Sequence, residues 1–198
     1  MSNLATSSDE VVSFEDENLI LVDKDDNEIG SLPKDKCHDG EGQLHRAFSL
    51  FIFNDAGEVL LQRRSALKRL WPMYWSNACC SHPRRGESME DAVNRRLQQE
   101  LGLTSRLEFL FKFIYHARYD ETGSEHELCW VYLGRSGGSV VVNANEIADW
   151  RFVPVDKLSH ELTTEADKFT PWMKLEWQRI QKEFGHRLRQ FSVTPQVT

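Results

Sequence analysis

The sequence predicts a single α/β or α+β domain, and three observations support this fold class. The chain has 198 residues, of which 40% are hydrophobic, and this size and composition suit one domain with a substantial core. Two pairs of apolar strands joined by short polar turns, residues 47–53 with 59–62 and residues 109–119 with 126–133, predict two β-hairpins. In residues 87–101 the apolar side chains recur at helical spacing, which predicts an amphipathic helix.

The charge and the hydropathy of the chain exclude several classes of protein. A net charge of −7 argues against binding to nucleic acid or to anionic membranes, so an anionic substrate would need a local basic cluster. No run of apolar residues is long enough for a membrane span, and the acidic, polar N-terminus does not resemble a signal peptide. The four cysteines form no CxxC pair, which predicts reduced thiols. We expect a soluble, cytoplasmic monomer.

The two ends of the chain lack the pattern of a packed core. Residues 1–17 carry few apolar anchors and are expected to form a flexible acidic leader. The domain is then expected to occupy residues 18–190, with a tail at residues 191–198. No core-forming pattern remains after Leu188, so this part of the chain is expected to fray.

Shorter elements complete the predicted fold. Glycine and proline without any periodicity indicate a loop over residues 32–45. Pro171 at a first helical position predicts a helix that begins there. The expected core-facing residues of that helix are Trp172, Leu175, Ile180 and Phe184. The remaining predicted elements are three short strands, at residues 19–22, 140–142 and 150–153, and one helix at residues 155–160.

Two histidines and two glutamates stand at positions that could hold a metal ion. His38 and His45 are seven positions apart, and the glycines between them argue against a helix. A loop could bring the two imidazoles together as metal ligands, or both could be exposed to solvent. Glu125 and Glu127 alternate with His126 on a predicted strand, so both carboxylates point to one face. Such a pair indicates a metal site or an acid–base pair, or else two solvated carboxylates at an exposed strand end.

Basic side chains follow the first predicted hairpin in a chain that is otherwise acidic. They are Arg63, Arg64, Lys68 and Arg69. The cluster is either an ordinary solvated surface or a site that captures an anion. On the predicted amphipathic helix, Arg96 and Glu100 are four positions apart and therefore neighbours, an arrangement that by itself fits a surface ion pair.

The segment from Ser81 through the predicted helix resembles a Nudix box, the loop–helix–loop that holds a divalent cation against a diphosphate. Its spacing is Ser81, five residues, Glu87, seven residues and then residues 95–103. Ser81, Arg96 and Gln99 stand where the hydrolases of that family have glycine and two metal-holding glutamates. The resemblance implies that the scaffold is retained and that hydrolysis is lost. A positive Arg96 at this position suits phosphate binding.

Five segments, in order and at compatible spacing, together resemble the type I isopentenyl-diphosphate isomerases, a Nudix-related family. The segments are residues 44–49, 75–83, the altered Nudix helix, 125–127 and 170–173, and the resemblance covers roughly residues 19–180. It implies a Nudix-like mixed β-sheet sandwich flanked by helices. It also implies conversion of isopentenyl diphosphate to dimethylallyl diphosphate, an allylic proton shift in isoprenoid biosynthesis.

The same resemblance assigns roles to individual residues. It places one divalent metal, Mn²⁺, Zn²⁺ or Mg²⁺, between His38, His45, His82, Glu125 and Glu127. It implies a second ion, Mg²⁺, that bridges the substrate diphosphate to Glu100. The implied phosphate contacts are Lys34, Arg64, Lys68 and Arg96. The implied catalytic residues are Cys80 and Glu127 for proton transfer, Tyr115 to orient Glu127 or relay a proton, and Trp172 to face a carbocation, with Cys79 as a packing residue.

Two other functions are open alternatives. A Nudix-type diphosphate hydrolase would leave the same helix but should keep the paired glutamates that Arg96 and Gln99 replace. A catalytically inactive module that senses a prenyl or nucleotide diphosphate should have lost Cys80 or Glu127, and both are present. These two sequence features favour the isomerase.

Overall fold

The strands of the protein form one mixed β-sheet. The computed structural model describes residues 9–192, and its strands belong to a nine-stranded sheet whose main order is β2-β1-β3-β4-β5. The strands are β1 (Asn18–Val22), β2 (Glu28–Pro33), β3 (His45–Phe53), β4 (Val59–Arg64), β5 (Trp75–Asn77), β6 (Cys79–Ser81), β7 (Arg106–Asp120), β8 (Gly123–Arg135) and β9 (Ile147–Val153). Only β3 and β8 pair in parallel among these strands, and the other pairs are antiparallel.

Within residues 9–192, five helices accompany the sheet, which confirms the predicted fold class. They are α1 (Lys34–His38), α2 (Met89–Leu101), α3 (Val155–Thr164), α4 (Pro171–Glu183) and α5 (Gly185–Ser192), with a 3₁₀ turn at Ala166–Lys168. At the start of α2, the Ser88 hydroxyl oxygen accepts a hydrogen bond from the Asp91 backbone N–H at 3.1 Å. Gly102 ends this helix in the left-handed conformation, with φ of 65°. Both predicted ends of the amphipathic helix are therefore confirmed.

The central strand β3 is buried on both faces, so the core has two layers. Leu50 points to one side and packs in a cluster with Leu97 of α2. Phe51 points to the other side, where its ring stacks on Trp177 of α4 with the centroids 5.8 Å apart. Because side chains alternate along a strand, Ser49 shares the side of Phe51, and it is buried there. The mixed sheet is thus flanked by α2 on one face and α4 on the other.

The long hairpin of β7 and β8 carries acidic side chains to the edge of β3. The two strands pair along their lengths, which confirms and extends the second predicted hairpin. The parallel register between β8 and β3 places Glu127 directly beside His45. Glu125 and Glu127 are buried whereas His126 between them is half-buried, as the strand alternation predicted. Register between distant strands therefore brings the candidate ligands together.

The first predicted hairpin is formed only next to its turn. β3 and β4 pair at Phe53 and Val59, and beyond this point they separate. β3 then pairs with β6 and β8, whereas β4 pairs with β5 and β9. The apolar pattern of a strand shows that the strand is buried. It does not show which strands pair with it, because the pattern would be the same with any neighbours.

The prediction of a continuous loop at residues 32–45 was wrong. β2 extends through Pro33, and α1 follows it directly. Gly40 and Gly42, with φ of 59° and 73°, then return the chain toward β3. Five helical residues are too few to show a helical period in the sequence. The correction bears on function because His38 is the last residue of α1.

Three smaller predictions were also wrong. Residues 140–142 form no strand, although Val140 is buried in the layer beside α2. Leu175 is 45% exposed and therefore lies outside the core-facing stripe of α4. Residues 189–192 do not fray, because α5 continues to Ser192 and Phe191 packs into the core, and the rest of the predicted tail lies outside the described residues. In each case the sequence neighbours of a residue predicted its structure or its burial, but both depend on contacts with residues that are distant in sequence.

The other short elements are confirmed. The strands predicted at residues 19–22 and 150–153 lie within β1 and β9. The helix predicted at residues 155–160 lies within α3, and α4 begins at Pro171 as predicted. Among residues 9–192, no helix has the length and the apolar character that crossing a bilayer requires.

The described part of the predicted leader, residues 9–17, lies against the domain. Val12 is buried, and its carbonyl oxygen accepts a hydrogen bond from the Arg96 guanidinium. The Lys34 ammonium pairs with Glu15 at 3.0 Å. These contacts place the segment at the rim of a cavity, which Glu15 helps to line.

Candidate metal centre and active site

Three histidines from separate parts of the chain converge on one point. His38 ends α1, His45 begins β3 and His82 follows β6. The distances between their ring centroids are 5.0 Å for His38 and His45, 4.9 Å for His45 and His82, and 5.8 Å for His38 and His82. The structure therefore brings together the three imidazoles that the sequence analysis named as metal ligands.

Glu127 forms a compact set of ligand atoms with these histidines. One ligand atom from each of the four residues lies within 4.8 Å of the others. Glu127 Oε1 is 3.2 Å from His82 Nε2 and 3.7 Å from His45 Nε2. His45 Nδ1 lies 2.7 Å from the Gln43 carbonyl oxygen. A hydrogen bond donated by Nδ1 to that carbonyl leaves the lone pair on Nε2 pointing into the cluster, which is how metal-binding histidines are usually oriented.

Two buried polar atoms beside this cluster have no hydrogen-bond partner among the described residues. They are Glu125 Oε2 and His38 Nε2, which lie only 2.9 Å apart. Leaving a carboxylate oxygen and a ring nitrogen buried without partners is costly, and a shared cation would remove that cost. Three imidazole nitrogens and two carboxylates are a mixed nitrogen and oxygen set that suits a divalent metal. The residues present therefore fit a divalent metal ion.

The electrostatics of His82 and Glu127 favour the protonation states that bind metals. Burial lowers the pKa of His82 to about 4, so its imidazole is neutral at pH 7. Burial opposes ionisation of Glu127, but its hydrogen bonds with His45 and His82 outweigh this effect and hold the pKa of the carboxyl well below its usual range. A neutral imidazole and an ionised carboxylate each present a lone pair to a cation.

We expect a divalent metal to stabilise the protein. Chelator-treated protein given Zn²⁺ or Mn²⁺ should unfold at a higher temperature than the metal-free protein, because binding to the folded state alone adds about 2.7 kcal/mol at a metal concentration of 100 times Kd. Differential scanning fluorimetry measures the shift. His82→Ala should remove most of it, and His186→Ala, at an exposed position of α5, should not. Equal shifts in both variants would argue against this metal centre.

The two adjacent cysteines face opposite sides of the sheet. β6 pairs with β3 so that Cys79 lies opposite Leu50 and Cys80 lies opposite Ser49. Cys79 is fully buried in the layer beside α2. Cys80 instead lines a cavity of about 320 Å³. Strand alternation therefore separates a packing position from a position open to a ligand.

Hydrogen bonds hold the Cys80 sulfur at the cavity wall. The Cys80 thiol donates to Asn77 Oδ1 at 2.9 Å, and the Trp172 indole N–H donates to the sulfur at 3.2 Å. The Ser49 hydroxyl oxygen lies 3.5 Å from the sulfur. Burial, followed by the negative charge of Glu176, raises the pKa of the Cys80 thiol to about 12. The thiol therefore keeps its proton at neutral pH.

Tyr115 and Trp172 line the same cavity as Cys80 and Glu127. The Tyr115 hydroxyl donates to Glu127 Oε2 at 2.7 Å, so the two oxygens of this carboxylate face different partners. The Tyr115 and Trp172 rings lie 6.2 Å apart. The Arg64 guanidinium lies over the Trp172 ring, 5.2 Å from its centroid. The four residues that the resemblance implied to be catalytic therefore all line one cavity.

Positive side chains also line this cavity. They are Arg69 and the four predicted phosphate contacts, Lys34, Arg64, Lys68 and Arg96. Two of them are held by buried carboxylates, since Lys68 pairs with Glu146 and Arg96 pairs with Glu100 at 2.7 Å. Convergent guanidinium and ammonium groups recognise phosphate oxygens through charge-assisted hydrogen bonds. The cavity therefore offers a site for a phosphorylated ligand beside a thiol and a candidate metal centre.

Known proteins share this arrangement of sequence and fold. The family described as NUDIX domain matches residues 43–173 of the chain. "Isopentenyl-diphosphate Delta-isomerase 1" of Photorhabdus laumondii is 41% identical over 166 residues, which cover 83% of this chain and 94% of that relative. "Isopentenyl-diphosphate Delta-isomerase" of Burkholderia multivorans is 41% identical over 87% of this chain and 97% of its own length. The chain belongs to the isopentenyl-diphosphate Delta-isomerase family.

A solved structure supports the fold of this isopentenyl-diphosphate Delta-isomerase family member. The crystal structure of DR0079 from Deinococcus radiodurans has a TM-score of 0.68 and 22% identity, and the match covers 82% of this chain and 98% of that one. At this identity the likeness concerns the fold alone. Within the fold, Arg96 and Gln99 occupy the positions at which the sequence analysis placed the glutamates of a Nudix hydrolase.

Glu100 does not line the cavity, and neither does His45, whereas the other expected metal ligands His38, His82, Glu125 and Glu127 do. Its carboxylate is buried and paired with Arg96. Glu146 does line the cavity and also approaches Arg96, at 3.5 Å, but the sequence analysis missed it. A single acidic residue in an irregular segment has no periodic neighbour that would distinguish it from a solvated one.

Ser49 and Glu176 were also missed. Both are buried polar side chains on the Cys80 side of the sheet, at 1% and 0% exposure. A signal was available for Glu176, because it lies one helical turn after Trp172 and therefore on the inward face of α4. A carboxyl group at such a position is unusual in a helix that packs on a core.

Proposed function

We propose that the protein isomerises isopentenyl diphosphate to dimethylallyl diphosphate, the reaction that the names of its relatives indicate. One observation carries the proposal. Cys80 and the hydrogen-bonded pair of Glu127 and Tyr115 line a single cavity with four phosphate-binding cations. Cys80 comes from β6 and Glu127 from β8, and these strands pair with opposite edges of β3. Two proton-transfer groups therefore border one substrate space.

The cationic part of the cavity binds the diphosphate. The chain has a net charge of −7, so an anionic ligand needs a local cluster of positive charge. That cluster is formed by Lys34, Arg64, Lys68 and Arg96. Mg²⁺, when bound, would neutralise part of the charge of the diphosphate. Glu100 is the carboxylate proposed to hold it, although Glu100 meets the cavity only through its ion-pair partner Arg96. Anchoring the diphosphate fixes the position of the isoprenoid chain relative to Cys80 and Glu127.

Cys80 and Glu127 carry out the two proton transfers. One proton is added to the terminal alkene carbon and one is removed from the far methylene, so substrate and product have the same composition. Cys80 presents a thiol that holds its proton, and Glu127 presents an ionised carboxylate whose Oε2 is fixed by Tyr115. The divalent metal, when bound by His38, His45, His82, Glu125 and Glu127, supplies a fixed positive charge that orients Glu127 and tunes its acidity.

The wall formed by Trp172 protects the positive charge that develops on the substrate. Trp172 is 3% exposed, and its ring meets Trp71 edge-on with the centroids 5.3 Å apart. A tertiary carbocation is trapped by any nucleophile, so the reaction needs an environment without water. The face of an indole attracts a desolvated cation by about 2 kcal/mol. Trp172 therefore stabilises the cation and excludes water at the same time.

The proposed cellular setting is the cytoplasm, with the monomer as the active state. All four cysteines are free thiols, which fits a reducing compartment. The cavity is lined by residues of one chain, so the site needs no partner subunit. Sedimentation at assay concentration should give the mass of one chain, and activity that appears only in a dimer would overturn this assignment.

Incubation with isopentenyl diphosphate and Mg²⁺ tests the function. We expect dimethylallyl diphosphate as the product without release of phosphate, because Arg96 and Gln99 replace the glutamates of hydrolysis. Proton and phosphorus NMR distinguish the outcomes in one sample. Inorganic phosphate or pyrophosphate as the main product would identify a hydrolase, and binding of the substrate without turnover would identify a sensing module.

A further inference from the structure

A buried carboxyl group on the Cys80 side of the sheet has no part in the proposed reaction. Glu176 of α4 is fully buried. Its Oε1 accepts a hydrogen bond from the Cys129 thiol at 3.5 Å, whereas its Oε2 has no partner among the described residues. Burial raises the pKa of Glu176 to about 8, since an ionised carboxylate has little to solvate it there. The carboxyl is therefore mostly neutral at pH 7.

A short chain of polar atoms connects this carboxyl to the Cys80 sulfur. The Cys129 thiol lies 3.4 Å from the Ser49 hydroxyl oxygen, and that oxygen lies 3.5 Å from the Cys80 sulfur. Ser49 and Glu176 are linked through Cys129, which contacts both, and the proximity of Ser49 opposes the rise that burial causes in the pKa of Glu176. Ser49 is thus shared between the carboxyl and the thiol, in a part of β3 that is otherwise apolar.

The hydroxyl of Ser49 has one proton and can donate it in one direction at a time. An ionised Glu176 would be the strongest acceptor within reach and would take that hydrogen bond. A neutral Glu176 can instead donate its own proton to Ser49, which leaves the Ser49 proton for the Cys80 sulfur. A hydrogen bond donated to sulfur stabilises the thiolate, the form that Cys80 passes through whichever proton it transfers.

We propose that Glu176 is a positioning residue for Cys80, which in its neutral form directs the Ser49 hydroxyl toward the Cys80 sulfur. The inference rests on the proposed function in one respect, namely that Cys80 exchanges a proton with the substrate. The groups that face Glu176 are Ser49 on β3 together with Cys129 and the negative charge of Glu127 on β8. The charge of Glu176 in turn acts on Cys80 of β6.

The dependence of kcat on pH tests this role through Glu176→Gln, which keeps the shape and a donor but cannot ionise. The neutral form of Glu176 is present below pH 8 and is lost as the pH rises through about 8. Between pH 7 and pH 9 the wild type should therefore lose about tenfold more kcat than Glu176→Gln. KM should not change, because Glu176 does not line the cavity. Coincident pH profiles of the two proteins would overturn the proposal.

Two matched variants show whether the effect passes through Ser49. Ser49→Ala should lower kcat at every pH, and a further Glu176→Gln change in that background should have no additional effect on the profile. Glu183→Gln, at an exposed position of the same helix, should follow the wild type. An undiminished Glu176→Gln effect in the Ser49→Ala background would contradict the path through Ser49.

Alkylation of Cys80 by iodoacetamide, followed by mass spectrometry, tests the inference without isomerase activity. At pH 9 the alkylation should be faster in Glu176→Gln than in the wild type, because loss of the buried charge lowers the pKa of Cys80. The rate should rise by about tenfold for each pH unit of that decrease. Equal rates in an active isomerase would refute the inference alone. Different rates in a protein that does not isomerise would instead refute the proposed function alone.

A measurement on the wild type covers the case in which Glu176→Gln does not fold. The C=O stretch of a protonated buried carboxyl should be visible by infrared spectroscopy at pH 7 and should disappear as the pH rises through about 8. A carboxylate spectrum without this band at pH 7 would show that Glu176 is ionised and would overturn the proposal.

Discussion

Cys80→Ser should lose nearly all isomerase turnover, with kcat reduced by about 10³-fold or more. A serine hydroxyl fits the space of the thiol and can keep the contacts with Asn77 and Trp172. It ionises far less readily than a thiol, however, so it cannot exchange a proton with the substrate. The KM for isopentenyl diphosphate should change little, because the diphosphate is held by other side chains. Steady-state assays of dimethylallyl diphosphate formation measure both constants.

Cys79→Ser is the matched control for this prediction. It makes the same chemical change one residue earlier, on the opposite face of β6. Serine in the fully buried layer beside α2 should lower the free energy of unfolding by about 1–3 kcal/mol, because its hydroxyl is poorly solvated there. The folded fraction should nevertheless retain most of its turnover. If Cys79→Ser were inactive and Cys80→Ser active, the assignment of the catalytic thiol would be wrong.

Glu127→Gln should remove both turnover and metal binding. The amide has the size of the carboxylate but lacks the charge that faces His45 and His82. We expect kcat to fall by about 10³-fold, since one proton-transfer group is lost. Metal content, measured by plasma mass spectrometry after dialysis, should fall well below that of the wild type, because the variant loses an anionic ligand.

Two variants separate the roles of Glu127. Tyr115→Phe removes the hydrogen bond to Oε2 and leaves every candidate ligand atom in place, so metal content should remain and kcat should fall by about 10–100-fold. Glu121→Gln alters a carboxylate that is 98% exposed at the turn of the same hairpin, and it should change neither quantity. Full metal loading and full activity in Glu127→Gln would exclude this residue from the site.

The parts of the fold that follow local rules could be predicted from the sequence. The ends of α2 depend on Ser88 and Gly102, which act within one turn of the helix. The hairpin of β7 and β8 depends on alternation along adjacent strands. By contrast, β3 forms most of its pairing with β6 and β8, which lie far away in sequence, and no local pattern specifies them. The five residues of α1 are too short to carry a pattern of their own.

The candidate site divides in the same way. The common face of Glu125 and Glu127 follows from the period of a strand, whereas the sequence allows His38 and His45 to be either metal ligands or two exposed rings. The structure buries both rings and brings them together, because α1 and β3 meet at that point. The spacing of Glu176 from Trp172 indicates that it faces inward, but its contact with Cys129 depends on how α4 packs against the sheet and could not be predicted.

β3 and β8 pair in parallel without interruption, from His45 beside Glu127 to Phe53 beside Arg135. Side chains on a strand have a period of two, so inserting or deleting one residue in β8 just after Glu127, with the rest of its register to β3 kept, would turn both carboxylates outward and His126 inward. Changes in chain length that preserve function should therefore be confined to the turn at residues 121–122 and to loops elsewhere. Anyone who grafts new loops onto this scaffold can vary those segments freely but must keep the spacing along β8 unchanged.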